Sequence, residues 1–312
     1  MAKEGNPWPS LPLEKWQSTY ETLRLWFQIV GKIRLSQTPW INHSWHVPLY
    51  VTTRGLTTSP IPYASRAFEI DFDFIRHRLL VQVSDGTERE LALRPQSVLR
   101  FYEELLRALE GLGLGVTIHG SPNELEGAIP FADDQEHASY DPEYANRFWR
   151  VLVQAERVLQ RFRALFIGKN SPVHFFWGSC DLAVTRFSGR PAPPHPGGIV
   201  NLPDWIAREA YSHEVSSAGF WPGGGPHLFP LFYSYAYPEP EGFNSMEVQP
   251  EAAFYSNELR EFILPYDVVR EAGRPDQVLI DFLQSTYAAA ADLGRWDRLL
   301  LERNEHRGTL KA

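Results

Sequence analysis

The sequence has a single cysteine, Cys180, in 312 residues. That scarcity excludes an internal disulfide and any Cys-based zinc site or iron–sulfur cluster, and it is compatible with a reducing compartment. No stretch comes near the roughly 18 apolar residues that a membrane-spanning helix requires, and the opening segment MAKEGNPWPSLPLEKW has no apolar leader core. A cytoplasmic protein without a membrane partner is expected. Runs of basic residues are absent too. With 30 Lys plus Arg against 38 Asp plus Glu the formal charge is −8, whereas a nucleic-acid surface needs clustered cations to displace counterions from phosphates. Arg157, Arg161 and Arg163 fall at helical spacing and read as a solvated face, so no nucleic-acid partner is expected.

The common chemical motifs are also missing. Gly168-Lys169-Asn170 lacks both the upstream glycine and the hydroxyl of a P-loop. Gly111, Gly113 and Gly115 close a helix where a dinucleotide fingerprint would open one. His213-Glu214 continues through Val215, Ser216 and Ser217 without the second histidine of a helical zinc site, and no GxSxG nucleophile elbow is present.

What the chain has in quantity is aromatic rings: 10 Trp, 19 Phe and 13 Tyr, 13% of the sequence. Rings in such number fill a core, and they also wall ligand clefts. Their spacing is informative. Trp16, Tyr20, Leu23, Phe27 and Val30 make one helical stripe, predicted to end near Gly31. Phe68, Ile70, Phe72 and Phe74 alternate with Glu69, Asp71 and Asp73, the pattern of a strand with one wet face, and Asp85-Gly86 marks a hairpin. A helix from Pro95 with Leu99, Tyr102, Leu106 and Leu109 on one side leads to a short strand, Val116 to His119. Residues 120–140 have turn-forming, acidic composition and read as a linker. Asp141-Pro142 then caps a helix with the stripe Tyr144, Phe148, Leu152, Ala155, Leu159, Phe162 and Phe166. Strands follow over 173–187, 211–220, 228–237 and 254–264, with a closing helix over 275–293.

Strands joined by short turns, without regular strand–helix alternation, predict an α+β fold. It would have two sequential halves, 1–119 and 141–312, each packing amphipathic helices on a mainly antiparallel sheet. Both halves run from a helix through Gly-Lys to a His-bearing strand and a Pro-punctuated loop, an order that suggests a divergent duplication.

Chemistry is expected where titratable side chains interrupt aromatic strand text, because buried polar groups must find partners. His46, Arg54, His174, Asp181, Arg186, His213, Glu214 and Trp221 stand out in this way. Each histidine taken alone also fits a hydrogen-bonded structural role. Taken together, His46, His174, His213 and Glu214 are the catalytic candidates, and the same four are the candidate ligands of a non-haem metal. Arg54 and Arg186, whose planar forks suit carboxylate or phosphate, would bind substrate along with Asp181 and Trp221.

The phrases LPLEKWQ, HVPLYVTTRGLTTSPIPY, SPVHFFWGSCDLAVTRFSGR, APPHPGG and SHEVSSAGFWPGG resemble those of an uncharacterised bacterial domain-of-unknown-function family, over residues 11 to about 298. The resemblance implies one full-length module and assigns no catalytic residue, cofactor or substrate. The expectation drawn from the residues is therefore an enzyme acting on a small polar or anionic molecule in an aromatic cleft between the halves. A binding or sensing module without turnover, and a structural protein with aromatic interaction loops, are the alternatives.

Overall fold

The computed structural model describes residues 6–225 and 227–303. The first half opens on helix α1 (Gln17–Gln37) and continues through strands β1 (Tyr50–Val51), β2 (Gly55–Thr57), β3 (Ile61–Tyr63), β4 (Arg66–Asp73), β5 (Arg78–Val83) and β6 (Glu88–Ala92) to helix α2 (Val98–Gly111). The second half opens on α3 (Pro142–Ala164). It continues through β7 (His174–Phe176), β8 (Asp181–Pro191), α4 (Asp204–Ala210), β9 (His213–Trp221), β10 (Leu231–Tyr237), β11 (Phe254–Ser256) and β12 (Glu261–Pro265), and then α5 (Tyr266–Glu271), α6 (Pro275–Leu293) and α7 (Arg298–Leu301). Each half builds one antiparallel six-stranded sheet, so the fold is α+β in sequential halves. No helix among the described residues is long and apolar enough to cross a membrane.

The strand orders of the two sheets differ. In the first, β2 and β3 share one edge of β4, giving β1-β2-β4-β5-β6 with β3 beside β4. The second runs β11-β12-β10-β9-β8-β7. The sheets meet edge to edge at Leu49 and Phe175, whose backbones exchange two hydrogen bonds of 2.9 Å. One buried apolar cluster then extends from Trp8 to Ala291. Residues 120–140 form no helix or strand, yet they are strapped to α1: Gln28 exchanges hydrogen bonds with the Asn123 backbone at 2.7 and 2.9 Å, and Phe131 is fully buried.

Several local expectations need correcting, each for a physical reason. Helix α1 runs through Gly31 to Gln37, because Gly31 is a packing position and not a stop: a Cβ there would lie 2.3 Å from the Trp177 ring. Beyond it Lys32 and Arg34 are buried, and Arg34 donates to the carbonyls of His46, at 2.8 Å, and Thr58. Around His46 the chain is a bend, since His43 and Ser44 adopt φ of 60° and 58° and Pro48 has no N–H to give. The strand text at 173–187 is cut by a turn at Trp177–Cys180, with Cys180 at φ 61°. Helix α2 starts at Val98, capped by Ser97, and buries Val98, Phe101, Leu105 and Leu109, a stripe rotated from the expected one because Phe101 stacks on Trp26 at 4.6 Å. Residues 116–119 form no strand.

Helix α3 is capped as expected, the Asp141 carboxylate accepting from the N–H groups of Glu143 and Tyr144 at 2.8 and 3.2 Å. Phe148, Leu152, Leu159 and Phe162 are buried. Truncating Phe148 or Phe162 to Ala should lower unfolding free energy by roughly 3–5 kcal/mol, through lost burial and a residual cavity. Denaturant unfolding measures this, and an unchanged midpoint in both variants would place the stripe at the surface.

Candidate functional site

The second sheet has two covered faces. Along β8 the side chains of Leu182, Val184 and Arg186 join the core under α3 and α6, while Asp181, Ala183, Thr185 and Phe187 point the other way. The same alternation on β9 and β10 directs Ser217, Trp221, Tyr233 and Tyr235 to that second face, and Glu261 joins them from β12. The segment after α1, with Trp40 and Trp45, forms one wall of this space. Residues of the 192–212 connection, among them Ile199, Ile206 and Tyr211, cover it. Between them lies a cavity of about 490 Å³, partly open to solvent and within the size range of small-molecule sites.

Its polar groups are organised around Asp181. The Asp181 carboxylate accepts from the hydroxyls of Ser179 and Tyr233. The Ser179 carbonyl in turn accepts from Trp221 Nε1 at 3.1 Å. Tyr211 and Tyr235 share a hydroxyl–hydroxyl bond of 2.8 Å, and Thr185 and Ser217 one of 2.9 Å. Burial raises the proton affinity of Asp181, with the two hydroxyl donors opposing it. Glu261 lacks such donors among the described residues, and burial together with the charge of Asp181 pushes its pKa up to about 8. Glu124 is a third carboxyl at the cavity, also raised by burial. Gly178 makes room for it, since a Cβ there would sit 2.1 Å from Glu124 Oε1.

Two histidines line the cavity. His43 Nδ1 lies 2.9 Å from the Ala210 carbonyl and Lys169 Nζ lies 2.9 Å from His43 Nε2, so Nδ1 carries the proton and Nε2 accepts. Burial lowers its pKa, and that of His174 falls to about 3 for the same reason, with Arg34 adding to the effect. The buried Nε2 of His174 has no partner among the described residues.

The residues singled out from the sequence are therefore scattered. His174, Asp181 and Trp221 line the cavity. His46 lies behind its wall, its ring 4.4 Å from Trp40 and its Nδ1 accepting from the Ile41 N–H at 3.2 Å. His213 stands 5.8 Å from the His43 ring, and its Nδ1 is 3.1 Å from Ser212 Oγ. Glu214 is paired with Arg190 at 2.6 Å, and Arg54 with Asp73 at 2.9 Å in the first sheet. Arg186 is in the core, its guanidinium 3.4 Å from the Phe162 ring centre and 4.3 Å from that of Tyr287. An anion clamp of Arg54 and Arg186 does not form in the cavity. The proposed ligand set His46, His174, His213 and Glu214 does not gather either, and no three His, Cys, Asp or Glu side chains among the described residues are placed to hold a metal ion.

His43, Glu124, Tyr211, Tyr233, Tyr235 and Glu261 were not anticipated. A signal existed for two of the tyrosines, because Leu231, Tyr233, Tyr235 and Tyr237 alternate along one strand face. Glu261 is the acid that leads directly into the apolar run Phe262-Ile263-Leu264.

A family model described as "Family of unknown function (DUF5996)" matches residues 8–303. The chain belongs to this family. Searches of curated proteins and of solved structures found no match. Family membership brings no activity with it, so the chemistry has to be read from the cavity.

Glu261 makes one reading measurable. Its proton is held more tightly in the folded chain, at about 8, than at the ordinary carboxyl value of 4.5. The associated stability is present below the ordinary value and is lost as pH rises through the folded one. Glu261→Gln should therefore gain on the wild type by roughly 2–4 kcal/mol between about pH 5 and about pH 9. Unfolding free energies that stay parallel across that interval would contradict the assignment. Arg186→Ala should cost roughly 3–5 kcal/mol at any pH in that interval, by leaving a hole among Phe162, Phe166 and Tyr287 and removing the guanidinium donor to the Phe162 carbonyl, which keeps only the Leu165 N–H. A variant with wild-type stability would place Arg186 outside the core.

Proposed function

We propose that the chain is an enzyme acting on a small polar molecule in the cavity over the second sheet, by proton transfer to and from Asp181 and Glu261. The observation that carries this reading is a pair of carboxyl groups in one aromatic cavity with unlike surroundings. Asp181 is braced by two hydroxyl donors that favour its anion, and Glu261 is left to hold its proton. Groups whose environments separate their protonation in this way are the usual form of an acid–base site. Asp181 accepts a proton from the substrate and Glu261 returns one, so the pair ends with its total charge unchanged. Tyr233, donating to Asp181, holds its carboxylate in place. The substrate is a small molecule and not a nucleic acid, because none of the described residues lining the cavity is lysine or arginine. The setting we favour is the bacterial cytoplasm, where the one buried thiol, Cys180, stays reduced.

Asp181→Asn and Glu261→Gln separate catalysis from mere binding. When the wild-type protein is incubated with a small-molecule cell extract and followed by mass spectrometry, at least one species should be consumed. Each variant should slow that consumption by about 100-fold or more, the scale of a lost general acid or base, while keeping its circular dichroism. If no species changes with the wild type, or if both variants turn over normally, the chain is not this enzyme. Ligand capture without turnover would instead favour a binding module.

A further inference from the structure

Three carboxyl groups face the cavity, and none of the described residues that line it is lysine or arginine. The nearest positive side chains are occupied elsewhere. Arg24 donates to the carbonyl oxygens of Gly178 and Glu124 at 2.8 and 3.1 Å, and Lys32 to Asn123 Oδ1. Lys169 is bound to His43 Nε2. His43 and His174 are held neutral by burial. Arg24 partly offsets Glu124, but acidic groups walled by rings, with no facing lysine or arginine among the described residues, are costly to keep. Positive charge is the missing complement.

We infer that the ligand of this cavity is an organic cation, an amine or quaternary ammonium, held between the aromatic walls and Asp181, Glu261 and Glu124. This inference rests on the cavity being the substrate site. Tryptophan and tyrosine rings attract a cation that comes within about 6 Å of the ring centre, and Trp45, Trp177, Trp221 and Tyr235 are all in the lining. Two lining rings already accept one: Lys169 Nζ lies 5.2 Å from the centre of Trp45 and 4.7 Å from that of Phe187. A metal ion fits less well, because the three carboxyls do not draw together as ligands of one centre. Spread along the cavity, they meet an extended molecule.

Matched probes test the charge alone. The full chain is titrated by calorimetry and thermal shift with choline and its uncharged carbon isostere, with cadaverine and the corresponding diol, and with glutarate as an anion. At least one cation should raise the melting temperature and bind about tenfold or more tightly than its uncharged partner. Asp181→Asn and Glu124→Gln should each weaken that cation by about tenfold, and Glu124→Gln serves alone if the first variant does not fold. Equal binding of the isosteres would overturn the cation and leave the cavity as a site for neutral molecules, and preference for glutarate would reverse the charge assignment. No shift with any probe would also overturn the cation, and consumption in the extract experiment then shows whether the substrate-site reading survives.

Discussion

The cavity exists because the second sheet is covered on both faces by different material. Helices α3 and α6 lie on one face and satisfy its apolar side chains in the ordinary way. The opposite face is roofed by connecting segments that leave space between themselves and the strands. A pleated strand turns alternate side chains to opposite sides, so neighbours on β8 have opposite fates: Arg186 is enclosed in rings in the core, and Thr185 looks into the cavity. Sliding β8 by one residue would exchange the two sets and put an arginine into the cavity.

Both halves of the chain are needed to close the space. The Leu49–Phe175 pairing joins the sheets, and Arg34 at the end of α1 holds the bend around His46 by its carbonyl. That bend carries Trp40, His43 and Trp45 over a face built wholly by the second half. Gln28 holds the Asn123 backbone, which sets the neighbouring Glu124 at the opposite rim. A site assembled from segments this far apart in sequence depends on the shared core remaining intact.

Carboxyls enclosed by tryptophan and tyrosine do not stabilise a fold. Glu261 must keep its proton or accept the cost of an anion beside Asp181, and a glutamine would serve the folded state better at alkaline pH. In the function proposed above these groups serve the chemistry, and packing elsewhere offsets their cost. The rest of the molecule supplies that support through α3, α6 and the aromatic clusters around Trp8, Trp26 and Phe27.

The α+β class, the antiparallel sheets, the Asp85-Gly86 hairpin, and helices α3 and α6 were legible in the sequence because they follow from local periodicity and turn chemistry. His174, Asp181 and Trp221 could be picked out as polar or amphipathic residues within strand text. Their partners could not be read in the same way. Glu124 lies in a stretch without periodicity, and His43 owes its position to a left-handed backbone and to Lys169, 126 residues away. The same test of an unusual side chain in apolar text selected Arg186 and Asp181 alike. Only the tertiary structure told them apart, because the face of β8 that meets helices and the face that meets a cavity depend on what packs there, and local sequence does not encode that.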